Sequence, residues 1–101
     1  MKHYSTINCP LSAVPRAGAT RYTRGVIMMV IERTSHRVLG VSMVGANAHK
    51  VIHEAAMGLR FRATVDDFID MIHVYPSMAE ALKIVSISFS KGYTKLSCCA
   101  T

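Results

Sequence analysis

At Gly45 the apolar residues of this chain change their period, and that switch constrains the fold more than any other feature. Upstream of it, Val26 to Ile31 and Val38 to Val44 are near-continuous apolar runs of strand length, as expected of strands covered on both faces. Glu32 to Arg37 between them suits a hairpin connection. Downstream, Ala48, Val51, Ile52, Ala55, Ala56, Leu59 and Ala63 fall on one helical stripe, with Asn47 as the candidate N-cap. Thr64-Val65-Asp66-Asp67 has the form of a capping box with Asp in place of Glu. Val65, Phe68, Ile69 and Ile72 follow at helical spacing, so a shorter helix is expected there. Ser77-Met78-Ala79-Glu80 is a regular capping box and opens a further helix through Met78, Ala81, Leu82, Val85 and Phe89, with Gly92 as its stop.

Ahead of these elements, Ser5 to Leu11 is a short β-capable stretch. Proline at Cys9-Pro10 withholds a ladder donor, which favours an edge or an ending. Residues 12–23 read as a loop, because Val14-Pro15-Arg16-Ala17-Gly18 contains both punctuating residue types. Strands first and helices afterwards predict an α+β fold, an antiparallel sheet covered by helices. A length of 101 residues allows one hydrophobic core. The expected organisation is a single domain over 1–101, with 93–101 as a flexible C-terminal tail. The chain opens almost directly into a strand, as expected of a segment taken from a longer protein.

Half of the residues are hydrophobic, too many for a disordered chain and enough to expect an apolar surface covered by a partner. Twelve Lys and Arg against 6 Asp and Glu give a net charge of +6. The basic residues are scattered, from Arg16 to Lys95, with neither a dense run nor an aromatic-studded ribonucleoprotein motif. A solvated basic surface is therefore expected rather than a nucleic-acid site. Three cysteines, two of them adjacent, make no secreted disulfide framework, and a reducing cytoplasm suits them better. No stretch reaches the length of a membrane span, and no signal peptide opens the chain.

The least ordinary feature is Cys98-Cys99, within four residues of the last one. A bond between adjacent cysteines strains the peptide joining them, so the pair makes a poor structural disulfide. Two thiolates suit a soft ion that accepts two sulfurs, such as Hg(II), better than Zn(II), which wants four ligands. Lys95 would favour the ionised thiols. From spacing alone, incidental terminal cysteines explain the pair equally well. His49 and His53 stand at i, i+4 on the first expected helix, but Lys50 and Glu54 make that face read as solvated. Around the last helix start, Tyr75 precedes a proline and should project from a turn, either for chemistry or as a half-buried packing residue with a wet hydroxyl. The capping box alone explains Glu80, and a helix-dipole contact explains His73. The chain has no glycine-rich dinucleotide fingerprint, phosphate loop or Cys-x-x-Cys, and Ser35-His36 makes no triad.

Ala13-Val14-Pro15-Arg16-Ala17, Thr23-Arg24-Gly25, Val38-Leu39-Gly40-Val41, Met78-Ala79-Glu80-Ala81-Leu82-Lys83 and Leu96-Ser97-Cys98-Cys99-Ala100 together resemble the end of the pyridine nucleotide-disulfide oxidoreductases. The first four segments are shared in looser form across that family, and the terminal Cys-Cys is specific to its mercuric reductase branch. The family carries an acid/base histidine followed by proline and then a glutamate. Tyr75 holds the histidine's place here, as in mercuric reductases, and Glu80 matches the carboxylate. Pro76 follows the tyrosine, as in the disulfide reductases, whereas mercuric reductases tend to have proline before it.

The resemblance implies a homodimerisation domain joined to upstream FAD- and NADPH-binding domains, inactive as an isolated 101-residue piece. It further implies that Cys98 and Cys99 collect the substrate ion Hg(II) and pass it to the partner subunit's redox cysteines, with Tyr75 nearby and Glu80 assisting, for reduction to Hg(0). Cys9 matches no family role and is expected to be a strand cysteine. Two alternatives remain: a free-standing thiol module for soft metals, and the dimerisation domain of a generic disulfide or dihydrolipoamide reductase.

Overall fold

The structure, a computed structural model, describes residues 3–21 and 23–89. Three strands, β1 (Tyr4–Pro10), β2 (Gly25–Glu32) and β3 (Val38–Gly45), form an antiparallel sheet in the order β1-β2-β3. The helices are α1 (Pro15–Thr20), α2 (Ala48–Arg60), α3 (Val65–Asp70) and α4 (Glu80–Ile87). This is the α+β architecture that the change of period predicts. The last residues expected of the final helix, the Gly92 stop and the tail 93–101 lie outside the described residues.

The core lies between one face of the sheet and the helices. On β2, Ile27, Met29 and Ile31 are buried, opposite Cys9, Ile7 and Ser5 of β1. From the helices come Val51 and Ala55 of α2, Val65 and Phe68 of α3, and Ala81, Leu82, Ile84 and Val85 of α4, all in one apolar cluster. The expectation that β2 is covered on both faces does not hold within this chain. Burial alternates along it, with Val26 exposed and Met28 and Val30 only partly covered. Val44, paired with Val26, is 69% exposed on that same second face. An unbroken apolar run reports hydrophobicity, and it equals burial only when both faces have something to pack against.

Residues 12–23 are likewise not a simple loop: Leu11–Ala13 is a 3-10 turn and α1 follows. Proline is favourable at the first helical position, where its missing N–H goes unused and its φ is already helical. Pro15 opens α1 in this way, Ala17 is fully buried, and Arg21 in the left-handed region ends it.

The helix boundaries follow local chemistry. Asn47 sits at the N-cap of α2, but in the left-handed region and without a side-chain cap bond. Arg62, also left-handed, closes α2 by a Schellman arrangement, with the Ala63 N–H donating to the Gly58 carbonyl and the Arg62 N–H to that of Leu59. The stripe therefore stops three residues short of Ala63. Thr64 forms the full capping box with Asp67. The box at Ser77 is half formed: the Glu80 carboxylate accepts the Ser77 N–H at 3.1 Å, whereas the Ser77 hydroxyl is buried without a partner. Residues 78 and 79 form a turn, so Ala79 rather than Ser77 holds the N-cap position of α4.

Gly25 and Gly45 pair across β2 and β3 with φ of 120° and 146°, directly beneath the buried Leu11. A Cβ at Gly25 would lie 2.0 Å from the Val44 carbonyl oxygen, whereas one at Gly40 would meet nothing within 4 Å. Gly25→Ala should therefore destabilise the chain by about 3 kcal/mol through strain and overlap. Gly40→Ala should change stability by less than about 0.5 kcal/mol. Urea melts of the two variants check the contrast.

Candidate functional site

Residues 71–79 join α3 to α4, and the first five of them reverse the usual burial rule. Ile72, Val74 and Tyr75 are 94%, 76% and 64% exposed, and Met71 is exposed too. The histidine among them is the residue turned inward, with its side chain 3% exposed. Its Nε2 lies 2.7 Å from the Glu54 carboxylate on α2, and its Nδ1 faces the Met71 carbonyl at 3.2 Å. His73 was expected to need no more than a helix dipole, and Glu54 to belong to a solvated face. The structure instead joins them across 19 residues of sequence. No local spacing signals such a pair.

Among the described residues, no backbone–backbone hydrogen bond involves Ile72 to Pro76. The turn Val74-Tyr75-Pro76, with a cis peptide before the proline, is held at its two ends by carboxylates. Glu54 takes His73 on one side, and Glu80, 9% exposed, takes the Ser77 amide on the other. Tyr75 therefore projects from a turn as the sequence suggests, but it is exposed rather than half-buried. Glu80 is committed to the turn's backbone and makes no hydrogen bond to Tyr75 among the described residues. Met57 on α2 and Phe61 at its C-cap continue the line begun by Glu54 at helical spacing and are 58% and 74% exposed. Glu54 also lines a groove with Lys50, Val51, Met78 and Ala79.

His49 and His53 are exposed, and no cluster of three metal-ligating side chains occurs among the described residues. Cys98 and Cys99 lie outside the described residues. No helix among the described residues is long and apolar enough to cross a membrane.

Cys9 is a buried strand cysteine, its Sγ 3.3 Å from the Ser88 hydroxyl at the end of α4. Burial pushes its thiol above the ordinary range, partly offset by the Ser88 contact.

Over residues 1–85 the chain matches the pyridine nucleotide-disulphide oxidoreductase dimerisation domain, and it belongs to that family. Its relatives there include mercuric reductases. That of Lysinibacillus sphaericus is 44% identical over 91 residues and that of Staphylococcus aureus 40%, each match covering 90% of this chain and 17% of the relative. The mercuric reductase of Streptomyces lividans is 36% identical over 97 residues, which is 96% of this chain and 20% of the relative. The chain thus spans no more than about 20% of these relatives' length. Among solved structures, the HOCl-induced flavoprotein disulfide reductase RclA from Escherichia coli, in a Cu(II) complex, superimposes with a TM-score of 0.79 at 27% identity, covering 84% of this chain and 19% of that one. LpdA from Mycobacterium tuberculosis shares the fold, with a TM-score of 0.79 at 24% identity over 85% of this chain and 19% of its own.

The Cys9 environment carries a linkage prediction. A thiol whose folded pKa is raised holds its proton longer in the native state. The associated stability is present below the ordinary thiol range and lost as pH rises through the raised value. The stability difference between wild type and Cys9→Ala should therefore be full below the ordinary thiol range and shrink as pH rises through and above it, measured by urea melts. In a Cys98→Ser, Cys99→Ser chain, where Cys9 is the one thiol left, a disulfide reagent should label it slowly when folded and fast in urea.

Proposed function

We propose that this chain is the dimerisation and Hg(II)-delivery domain of a mercuric reductase that acts as a homodimer in the cytoplasm. One observation carries the dimeric half: Ile72, Val74 and Tyr75 stand outward on one turn, an apolar projection of the kind a second subunit buries. The mercuric reductases among its relatives and the Cys98-Cys99 pair support the mercury half.

In this reading, Cys98 and Cys99 each give up a proton and bind the substrate ion Hg(II) as a dithiolate. Delivery replaces one Hg–S bond at a time by bonds to the partner subunit's cysteines, without oxidation of either pair, and the protons return to the vacated thiols. Exchange between thiolates is fast even where binding is tight, so capture and release are compatible. Tyr75 presents its phenol toward the partner subunit, near the ion's path. Glu80 is a positioning residue that fixes the turn through the Ser77 amide.

Reduction of Hg(II) to Hg(0) takes two electrons, which NADPH supplies through FAD elsewhere in the reductase. The six glycines of this chain form no phosphate-cradling run, so its own residues offer those cofactors no fitting site and no redox step is assigned to it.

Native mass spectrometry of the reduced chain with one equivalent of Hg(II) and excess glutathione tests the mercury half. The wild type should keep one ion per chain, and the Cys98→Ser, Cys99→Ser variant should keep none while retaining its fold. Equal retention by both would move the site away from the tail. Retention by neither would leave a generic disulfide reductase dimerisation domain.

A further inference from the structure

We infer that Glu54 and His73 are the positioning residues for Tyr75, by fixing which side of the segment Met71–Tyr75 faces inward; this rests on the reading of the projecting turn as a subunit contact. His73 is the one side chain of Met71–Tyr75 that turns inward, so a shift of the segment by one residue would turn Ile72 or Val74 inward and send His73 out. Hydrophobicity alone favours that shifted arrangement, since it would bury a branched side chain that is now 94% or 76% exposed.

The inward slot is nevertheless taken by His73, because the slot ends on the Glu54 carboxylate, 2.7 Å from Nε2. An apolar side chain there would strip that partly covered carboxylate of its partner. The second ring nitrogen faces the Met71 carbonyl at 3.2 Å, so the slot offers an oxygen acceptor to each ring nitrogen. With no backbone hydrogen bond to Ile72–Pro76 among the described residues, the side-chain pair decides the register. Tyr75 lies two residues on, held on its far side by Glu80 and Ser77. Its outward pose is therefore set from α2, by a residue that need not touch a partner subunit or an ion.

The decisive variant is Glu54→Leu, which keeps a good helix former on α2 but makes the slot apolar. Amide relaxation and chemical shifts of the full 101-residue chain read the turn, and sedimentation reads dimerisation. Wild type and Glu54→Gln, which keeps a hydrogen-bond acceptor, should each show one ordered set of signals for Ile72 to Tyr75. Glu54→Leu should melt no lower than wild type, yet show split or averaged signals there. If the outward register falls to about a tenth of molecules, its dimer Kd should rise about a hundredfold, since both protomers must present the turn.

An undisturbed turn in Glu54→Leu overturns the inference, whatever the dimer does. A monomeric wild type whose turn is disordered by Glu54→Leu keeps the inference and removes the dimer reading instead. If Glu54→Leu does not fold, His73→Val makes the same comparison from the other side of the pair.

Discussion

The packing of α4 across β1 and β2 is the contact on which the remaining elements depend. Ala81, Leu82 and Val85 meet the buried face formed by Ile27 and Met29, and Ser86 and Ser88 reach Met29 and Cys9 while bonding back to their own helix. This seat fixes the start of α4, from which Glu80 holds the Ser77 amide. Because α3 packs on α4 and α2 on β3, both ends of the intervening turn are tied to the same core. The turn itself contributes almost nothing to that core, which leaves its apolar side chains available to something outside the chain.

Much of this was legible in the sequence, for an identifiable reason. The change of period at Gly45 locates two strands and the longest helix, since each period records a repeating geometry that the chain obeys over many residues. The Thr64 capping box was readable in full because Thr64 is extended immediately before the first helical residue. Failures fall where one residue depends on a distant one. Glu54 and His73 lie on separate elements, and nothing in either neighbourhood calls for the other. Pro15 and Gly18 make residues 12–23 read as a loop although proline can equally open a helix, and the unalternating apolar run of β2 reads as burial on both faces although nothing among the described residues buries the second. Cys98 and Cys99 were singled out by chemistry and family resemblance, which need no coordinates.

The two carboxylates around Tyr75 show how a motif's residues can divide their work. Resemblance assigns the glutamate five positions after the tyrosine to chemistry, yet its oxygen is engaged with the backbone at Ser77. Glu54 does for one side of the turn what Glu80 does for the other, although a family motif in this segment contains only the second. A projecting side chain on a segment without its own ladder must borrow rigidity from neighbours, and here both lenders are acidic.

The sheet's second face bears on how the separate segment behaves in solution. Val26, Met28, Val30 and Val44 form an apolar strip on a three-stranded sheet whose outer strands, β1 and β3, have no further strand beside them among the described residues. Such a surface adheres to copies of itself unless something keeps the copies apart. The chain's net charge of +6 supplies a mutual repulsion, and dissolved ions screen it over a Debye length of about 8 Å at physiological ionic strength. Colloidal behaviour of this segment is accordingly set by salt as much as by its folding stability, and dilute buffers of low ionic strength are where it stays dispersed.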